Sequence, residues 1–230
     1  MKCSRIPLLM SLFFSLALGL VLSQLPDGTT VSAQKEPPSS NAIQVGEDRP
    51  VVGDSTELPL VEPQVAVNPK EPNNMIAGAM VSKPDGTSGV AAFSSFDGGR
   101  TWQRHDFAIN NGGDVWVVFL ADGTALLSTL AGERAELQIF RSADGGRTWH
   151  EKPSTMGSGH DHPTVLVDRL SKQFVGSLYA VSAVSGQRRS IIHVARSTDG
   201  GVTFLEPVRV IASNLSYEAH NPALLSDGTL

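Results

Sequence analysis

The sequence predicts an all-β protein, a β-propeller built from four-stranded antiparallel blades, and three observations support this prediction. One nine-residue stretch occurs three times, as SSFDGGRTW at Ser94–Trp102, RSADGGRTW at Arg141–Trp149 and RSTDGGVTF at Arg196–Phe204. Its aspartates, Asp97, Asp144 and Asp199, are 47 and 55 residues apart, which is the spacing of propeller blades. Apolar residues alternate with polar ones between the copies, and no segment beyond residue 33 shows a helical period.

Each repeat can be divided into strands in chain order. The first strands follow a Pro or Gly and read EPQVAVNP, GDVWVVFLADG and HPTVLVD. The second strands read NMIAGAMV, TALLSTL and GSLYAVSAV, and the third read GVAAFSS, ELQIFRS and SIIHVARS. The third strand leads into the recurring stretch, and the aromatic residue that closes the stretch begins a fourth strand.

The recurring stretch has the composition of a tight turn. Asp97 can accept hydrogen bonds from the amides of its own turn, and Gly98 and Gly99 can adopt positive φ. Trp102 then buries a large ring between sheets. We therefore predict a structural role for the matching residues of all three copies: Ser95, Asp97, Gly99, Thr101 and Trp102; Ser142, Asp144, Gly146, Thr148 and Trp149; and Ser197, Asp199, Gly201, Thr203 and Phe204.

The last residues start a further repeat. NPALLSDG begins at Asn221, and LSDGTL at 225–230 matches LADGTAL at 120–126, the turn after the first strand of a blade. We therefore expect a fourth blade that has only begun, in an N-terminal part of a longer protein. The predicted blades span roughly 61–109, 110–156, 157–212 and 213–230.

The N-terminal residues have the pattern of an export signal. Lys2 and Arg5 precede an apolar run, and the small residues that end at Ala33 suit cleavage, so residues 1–33 are predicted to be a signal peptide of a secreted or periplasmic envelope protein. The alternative is an uncleaved membrane anchor. Residues 34–60 are rich in Pro, Ser and acidic side chains and are predicted to be a linker.

The composition limits the partners. The formal net charge of -5 argues against a nucleic-acid partner, because phosphate binding favours a basic surface. The single cysteine lies in the predicted signal peptide, so the mature chain would have neither a disulfide nor a cysteine metal site. We expect a membrane partner only if the N-terminal segment is not cleaved.

The predicted strand order separates two faces. If the recurring turn joins the third and fourth strands, it shares a face with the turns between the first and second strands. The opposite face holds the loops that enter each first strand and the loops between second and third strands, around the central channel. We predict that this face holds the catalytic candidates Asp161 and Glu218, and the substrate-binding candidates Arg134, Arg188, Arg189, Glu62, Asp114, His160, His162 and His220. A solvated polar rim is the alternative for each of them.

The run GHDHP at 159–163 concentrates side chains that could act in catalysis or bind a metal. His160 and His162 are two apart and would point the same way in an extended chain, as two metal ligands do. The spacing identifies no third ligand, so we predict neither a metal nor a cofactor. Asp161 could instead be an acid/base or a substrate-positioning group, and the plainest interpretation of the run is a polar loop.

The pattern Ser-x-Asp-x-Gly-x-Thr-Trp resembles the Asp-box repeat of sialidases and related β-propellers, over residues 61–230. The resemblance implies six blades and a structural role for the recurring aspartates, on the face opposite the substrate. It also implies an exo-α-sialidase that acts on sialylated or other acidic glycans through arginines, a Tyr–Glu pair and an acid/base Asp. Arg5-Ile6-Pro7 has the letters of the family's first arginine segment but lies in the predicted signal. The resemblance assigns the remaining arginines and the Tyr to later blades, so no catalytic residue is carried over.

Three functions therefore stay open. The first is an exported sialidase-like glycoside hydrolase, and the second is a non-catalytic propeller that binds glycans or proteins at the cell envelope. The third is a scaffold of a membrane complex. The first two predict a carbohydrate ligand.

Overall fold

The structure is a computed structural model that describes residues 46–52, 59–185, 190–210, 219 and 221–230. The chain divides into two units, Met1–Glu47 and Asp48–Leu230, and nearly all described residues belong to the second. The predicted signal peptide and most of the predicted linker lie outside the described residues. Across the described ranges there is no helix, and so none that is long and apolar enough to cross a membrane.

In the described ranges, twelve strands form three four-stranded antiparallel sheets, each with its strands side by side in chain order. Sheet 1 contains β1 (Leu60–Val67), β2 (Met75–Ser82), β3 (Ser88–Ser95) and β4 (Gln103–Phe107). Sheet 2 contains β5 (Gly113–Phe119), β6 (Ala125–Ala131), β7 (Glu136–Ser142) and β8 (Ser154–Thr155). Sheet 3 contains β9 (His160–Val167), β10 (Leu178–Ser185), β11 (Ser190–Ser197) and β12 (Val208–Arg209). The all-β prediction and the four-stranded antiparallel sheets are confirmed.

The sheets pack face to face in chain order, and β5 lies beside both β1 and β9. The core between sheets 1 and 2 includes Ile76, Val90, Phe107, Val117 and Phe119. The core between sheets 2 and 3 includes Leu126, Leu137, Ile139, Val165 and Leu178. Burial of a large aliphatic or aromatic side chain is worth about 1.5–3 kcal/mol relative to exposure, so the two cores account for the stacking of the sheets.

The aromatic residues that close the recurring turns pack in different ways. The Trp149 ring meets the ring of Phe107, on the outer strand of sheet 1, edge to face with centroids 5.4 Å apart. Phe204 packs against the core between sheets 2 and 3. Trp102 packs with Phe93 in a cluster formed mainly by its own sheet. The predicted position between sheets is therefore confirmed for the second and third rings, and among the described residues it is wrong for Trp102.

Each recurring turn is closed by its Ser, Asp and Thr side chains. In the first copy, Ser95 Oγ donates to Asp97 Oδ1 (2.8 Å) and accepts from the Gly99 amide (2.9 Å). The other limb is held by Thr101, whose amide and hydroxyl donate to the two carboxylate oxygens of Asp97 (2.9 and 2.7 Å). Copies two and three repeat this set of bonds. The motif is thus a self-contained hydrogen-bonded turn.

These hydrogen bonds favour the ionised aspartate. The hydroxyl and amide of Thr203 lower the pKa of Asp199 to about 2, and the Thr101 bonds lower the pKa of Asp97 in the same direction. A carboxyl group whose pKa falls on folding stabilises the protein above its unfolded pKa, and this stabilisation is lost as the pH falls towards the folded value. The turn aspartates are therefore structural anions near neutrality, and they are poorly suited to proton transfer.

A buried amide ties the second turn to sheet 1. Asn74 Nδ2 donates to the carbonyl of Ser95 (3.0 Å) in its own sheet and to that of Gly145 (2.9 Å) in the next. Its Oδ1 accepts a bond from Asn68 Nδ2 (2.9 Å). Next to this contact, the Arg147 guanidinium lies 3.6 Å from the ring centre of Phe96. The recurring turn therefore docks on the preceding sheet through specific polar contacts as well as apolar ones.

The two ends of the sheets differ as the strand order predicts. At one end, the recurring turn meets the β1–β2 turn, where the Gly98 amide donates to the Asn73 carbonyl (2.9 Å). At the other end, the loop that enters β9 meets the β6–β7 loop, where the Gly159 amide donates to the Arg134 carbonyl (2.7 Å). The recurring turns and the entry loops therefore lie at opposite ends of the sheets.

The fourth repeat, which begins at Asn221, forms the turn that follows a first strand in the other repeats. The Leu225 amide donates to Thr229 O (2.8 Å) and the Gly228 amide to Leu225 O (3.0 Å), the same pair of bonds that Leu120, Gly123 and Thr124 make after β5. Residues 221–225 themselves are not in a strand, although the sequence predicts one. A strand is defined by pairing, and this segment pairs with no other described residues.

Candidate functional site

The entry end of each first strand carries the same backbone distortion. The register of β1, β5 and β9 against their partners shifts once in each strand. Glu62 (55°), Asp114 (48°) and His162 (46°) have positive φ at these three entries, and Asn221 (40°) has it at the corresponding place of the fourth repeat. Such a backbone costs on the order of 1–3 kcal/mol per residue and persists only where the surrounding structure imposes it.

The sequence explains part of this distortion. Proline follows Glu62, His162 and Asn221, and proline within a strand is tolerated at bulges because it cannot donate to the ladder. A bulge also breaks the alternation of side chains along a strand. The distortion therefore re-aims one polar side chain in each repeat.

These four side chains line one cavity of about 270 Å³. The cavity lies at the entries of the first strands, so that consecutive repeats all contribute to it. Its lining consists of polar residues, one indole and a few small apolar side chains: Glu62, Gln64, Asp114, Val115, Trp116, His162, Pro163, Thr164, Ala219 and Asn221. A mixed polar and aromatic lining is typical of a binding site.

Two contacts join sheets 2 and 3 at the cavity. Asp114 Oδ2 accepts a hydrogen bond from the His162 amide (3.0 Å), which helps to hold His162 in its strained backbone. The His162 Nδ1 lies 3.1 Å from Asp161 Oδ1, and both side chains are almost half exposed. One ligand atom from each of the three residues falls within 4.8 Å of the others. The two carboxylates are therefore close neighbours that come from different sheets.

Within the described part of the chain, the same three residues form a group that could hold a metal ion, with two carboxylate oxygens and one imidazole nitrogen. His160 is not in this group, so the pair of histidine ligands that the spacing allowed is not formed. His160 is only 5% exposed and does not line the cavity, whereas His162 is exposed and does. The prediction that both imidazoles point the same way is wrong, because the bulge and the positive φ of His162 interrupt the alternation.

His160 is packed inside sheet 3. Its Nδ1 lies 2.7 Å from Ser182 Oγ and its Nε2 lies 3.0 Å from the Met156 carbonyl. A carbonyl only accepts, so Nε2 carries the proton and Nδ1 accepts from Ser182. His193, which pairs with Ser182 across β10 and β11, has a buried Nε2 that finds no hydrogen-bond partner among the described residues. Burial lowers the pKa of both histidines, so the fold favours their neutral forms.

Acidification from about pH 7 to about pH 5 is therefore expected to destabilise the protein, since the unfolded chain binds protons that His160 and His193 resist when folded. Their folded pKa values lie below the unfolded ones, so the stability is present above about pH 6.5 and is lost as the pH falls below it. The free energy of unfolding, measured by denaturant titration across this range, should fall less steeply in His160→Gln. The exposed His150→Gln is the matched control, and an equal slope in the wild type and His160→Gln would contradict the assignment.

Apart from His160, the catalytic and substrate-binding candidates predicted from the sequence fall into three groups. Glu62, Asp114 and His162 line the cavity, and Asp161 contacts His162 beside it. Arg134 is exposed and does not line the cavity. Four candidates lie outside the described residues: Arg188, Arg189, Glu218 and His220.

Several lining residues were not among the sequence candidates. Trp116 has the position of an ordinary strand residue in the apolar run GDVWVVF, so pattern alone assigns it to the core. Gln64 and Thr164 follow the bulges of β1 and β9 and carry no motif. The sequence does contain one signal for the residues at the strand entries, because a polar residue precedes proline at the start of three repeats.

Two other cavities lie at the opposite end, between neighbouring sheets. One of about 170 Å³ is lined by Asn74, Asp144 and Arg147, among others, and one of about 320 Å³ by Arg141 and Asp199, among others. The aspartates and the amide that line them are already engaged in turn and inter-sheet hydrogen bonds. The entry cavity is therefore the better candidate for a functional site.

Comparison with known proteins gives partial likenesses only. No family model and no curated protein matches the chain. Among solved structures, a Hadza microbial sialidase is 19% identical over 63% of this chain and 32% of its own, with a TM-score of 0.45. Trypanosoma rangeli sialidase is 18% identical over 66% and 28%, with a TM-score of 0.43. A family 117 glycoside hydrolase from the marine bacterium Zobellia galactanivorans is 11% identical over 65% and 55%, with a TM-score of 0.45.

This chain thus spans less than two thirds of the length of each of these structures. At such low identity and TM-score, no function follows from the likeness. The function has to be argued from the residues of the entry cavity.

Proposed function

We propose that this protein is a propeller-type glycoside hydrolase whose reaction takes place at the entry cavity. The observation that carries the proposal is the pair of carboxylates, Asp114 and Asp161, whose oxygens approach within 4.8 Å across two sheets. Glycosidases commonly use two carboxylates, about 5–5.5 Å apart when the anomeric configuration is retained. The pair lies at a cavity that also presents an indole and amide side chains, as a sugar site does.

We propose different roles for the two acids. Asp114 lines the cavity and is fixed by the His162 amide, so it is placed to attack the anomeric carbon. Asp161, beside the His162 imidazole, would give its proton to the glycosidic oxygen as that bond breaks. Water then cleaves the glycosyl–Asp114 ester and returns a proton to Asp161, which completes the cycle.

The remaining lining residues would bind the sugar. Trp116 offers an apolar surface for the ring, and Gln64 and Asn221 offer donors and acceptors for its hydroxyl groups. The strained backbone of the entry residues would keep these groups in place before the substrate arrives, which lowers the entropic cost of binding.

An exo-α-sialidase that acts on sialylated or other acidic glycans is the narrower form of this proposal. It needs arginines that bind the substrate carboxylate. No arginine is among the described residues that line the cavity, and Arg188 and Arg189 lie outside the described part of the chain. The sialidase form therefore needs arginines from outside the described part of the chain, such as Arg188 and Arg189 or residues of further blades.

The setting of the site is also part of the proposal. Three successive sheets that pack in chain order suit blades of a ring, and we propose that further blades, six in all, close it and cover its edges. We propose export through a signal peptide at residues 1–33, followed by a linker to about residue 60. The substrate would then be a glycan outside the cytoplasm.

A non-catalytic glycan-binding protein at the cell envelope is the second candidate. The observation that favours it is the exposure of Asp161, 47% for its side chain. A general acid that works near neutrality is usually buried enough to hold its proton. Binding without turnover would then be the function of the same cavity.

The test is a panel of fluorogenic glycosides, neutral, amino, uronic and sialic, incubated with the purified protein alongside a glycan-binding assay. Release of the fluorophore from any class, lost in Asp114→Asn, supports the hydrolase. Glycan binding that Trp116→Ala abolishes, without release, supports the second candidate. Neither release nor binding would overturn both.

A further inference from the structure

We propose that the entry cavity selects sugars that carry a protonated amino group over neutral and acidic sugars. This inference rests on the proposed function, because it concerns the substrate class of the same cavity. It departs from the acidic-glycan form of that proposal.

Charge is the first argument. The carboxylates of Glu62 and Asp114 both line the cavity, and a third carboxylate, Asp161, has an oxygen within 4.8 Å of one of Asp114. The His162 imidazole, when charged, is already next to Asp161 at 3.1 Å and so offsets that acid first. No arginine or lysine is among the described lining residues, so the potential that the described lining creates is negative, which attracts an ammonium group and repels a sugar carboxylate.

The aromatic residue is the second argument. Trp116 lines the same cavity as the two carboxylates. An indole is the side chain that attracts cations most strongly through its ring face. A hexosamine ring could place its apolar face on the indole and its ammonium group near an acid. The lining thus combines two features that each favour a cationic ligand.

The test compares methyl glycosides that share one ring configuration and differ in a single group: an amine, an N-acetylated amine, a hydroxyl or a uronic carboxylate. Dissociation constants would be measured by calorimetry at a pH that keeps the amine protonated. We expect the amino glycoside to bind about tenfold more tightly than the neutral one, the acetylated form to lose this advantage, and the uronide to bind most weakly.

Glu62→Gln and Asp114→Asn should each reduce the ratio of amino-glycoside affinity to neutral-glycoside affinity by about two- to fivefold. Glu151→Gln, which removes an exposed carboxylate away from the cavity, is the matched control. Thermal unfolding of each variant shows that it is folded.

The possible outcomes distinguish failure of the amine preference from failure of the proposed function. If the neutral or uronic glycoside binds as tightly as the amino glycoside or more tightly, the amine preference is overturned. The proposed function then still stands, provided that Trp116→Ala abolishes the binding. If no glycoside binds, or if Trp116→Ala binds all of them as the wild type does, the cavity is not a sugar site and both proposals fail.

Discussion

Asp161→Asn is expected to lower the rate of glycoside hydrolysis by about 10²- to 10⁴-fold, the usual contribution of a general acid–base group. The amide cannot donate a proton to the glycosidic oxygen or take one from water, while its size and its place beside His162 are almost unchanged. Asp114→Asn should be at least as damaging, because an amide cannot form the glycosyl ester. The measurement is kcat on whichever fluorogenic glycoside the wild type cleaves.

Two features sharpen this prediction. Asp106→Asn removes an exposed carboxylate that pairs with Arg104 on the outer strand of sheet 1, and it should leave kcat unchanged. A glycoside with a good leaving group needs little acid assistance, so it should be affected less by Asp161→Asn than one with a poor leaving group. Wild-type turnover in Asp161→Asn on both substrates would remove this residue from the mechanism.

Gly145→Ala is expected to destabilise the protein by about 3–4 kcal/mol, the largest effect on stability that we predict. An added Cβ would stand 2.4 Å from Asn74 Oδ1, and Gly145 has a φ of +73°, which alanine adopts only at a cost. Asn74 cannot simply move away, since it bonds the carbonyls of both Ser95 and Gly145. The substitution therefore disrupts the polar contact that docks the second recurring turn on sheet 1.

Gly157→Ala is the matched control for this prediction. Gly157 also has positive φ (+85°), but a Cβ there would meet nothing within 4 Å. Gly157→Ala should therefore lower the free energy of unfolding only through the strained backbone, by about 1–2 kcal/mol. The difference of about 2 kcal/mol corresponds to roughly 4–8 °C in Tm for a unit of this size. Equal Tm values for the two variants would show that the Asn74 contact does not hold the sheets together.

The sequence predicted the sheets well because their signals are local. Alternation of Val, Ile and Leu reports which residues face a core, and the Ser-x-Asp-x-Gly-x-Thr turn carries its own hydrogen-bond partners within a few residues. Asn74 shows the limit of such reasoning. Its bond to Gly145 joins residues 71 apart, and nothing in either segment alone predicts that contact.

The site was predicted less completely because its geometry depends on bulges. Glu62, Asp114 and His162 were identified as entry residues, and the structure brings all three to one cavity. His160 was misjudged, since a strict period of two holds only in a regular strand. Trp116 was missed because a tryptophan in an apolar strand has the same pattern whether it fills a core or lines a cavity.

The most direct test of the central claim, that the entry cavity is where the sugar binds, uses the three tryptophans of the chain as probes. Each indole N–H gives one NMR signal, which single Trp→Phe variants assign. Trp102 Nε1 donates to the Gly99 carbonyl in its turn and Trp149 is buried, whereas Trp116 lines the cavity. Titration with a methyl glycoside should shift the Trp116 signal saturably and leave the other two in place. A saturable shift of Trp102 or Trp149 with Trp116 unmoved would contradict the claim.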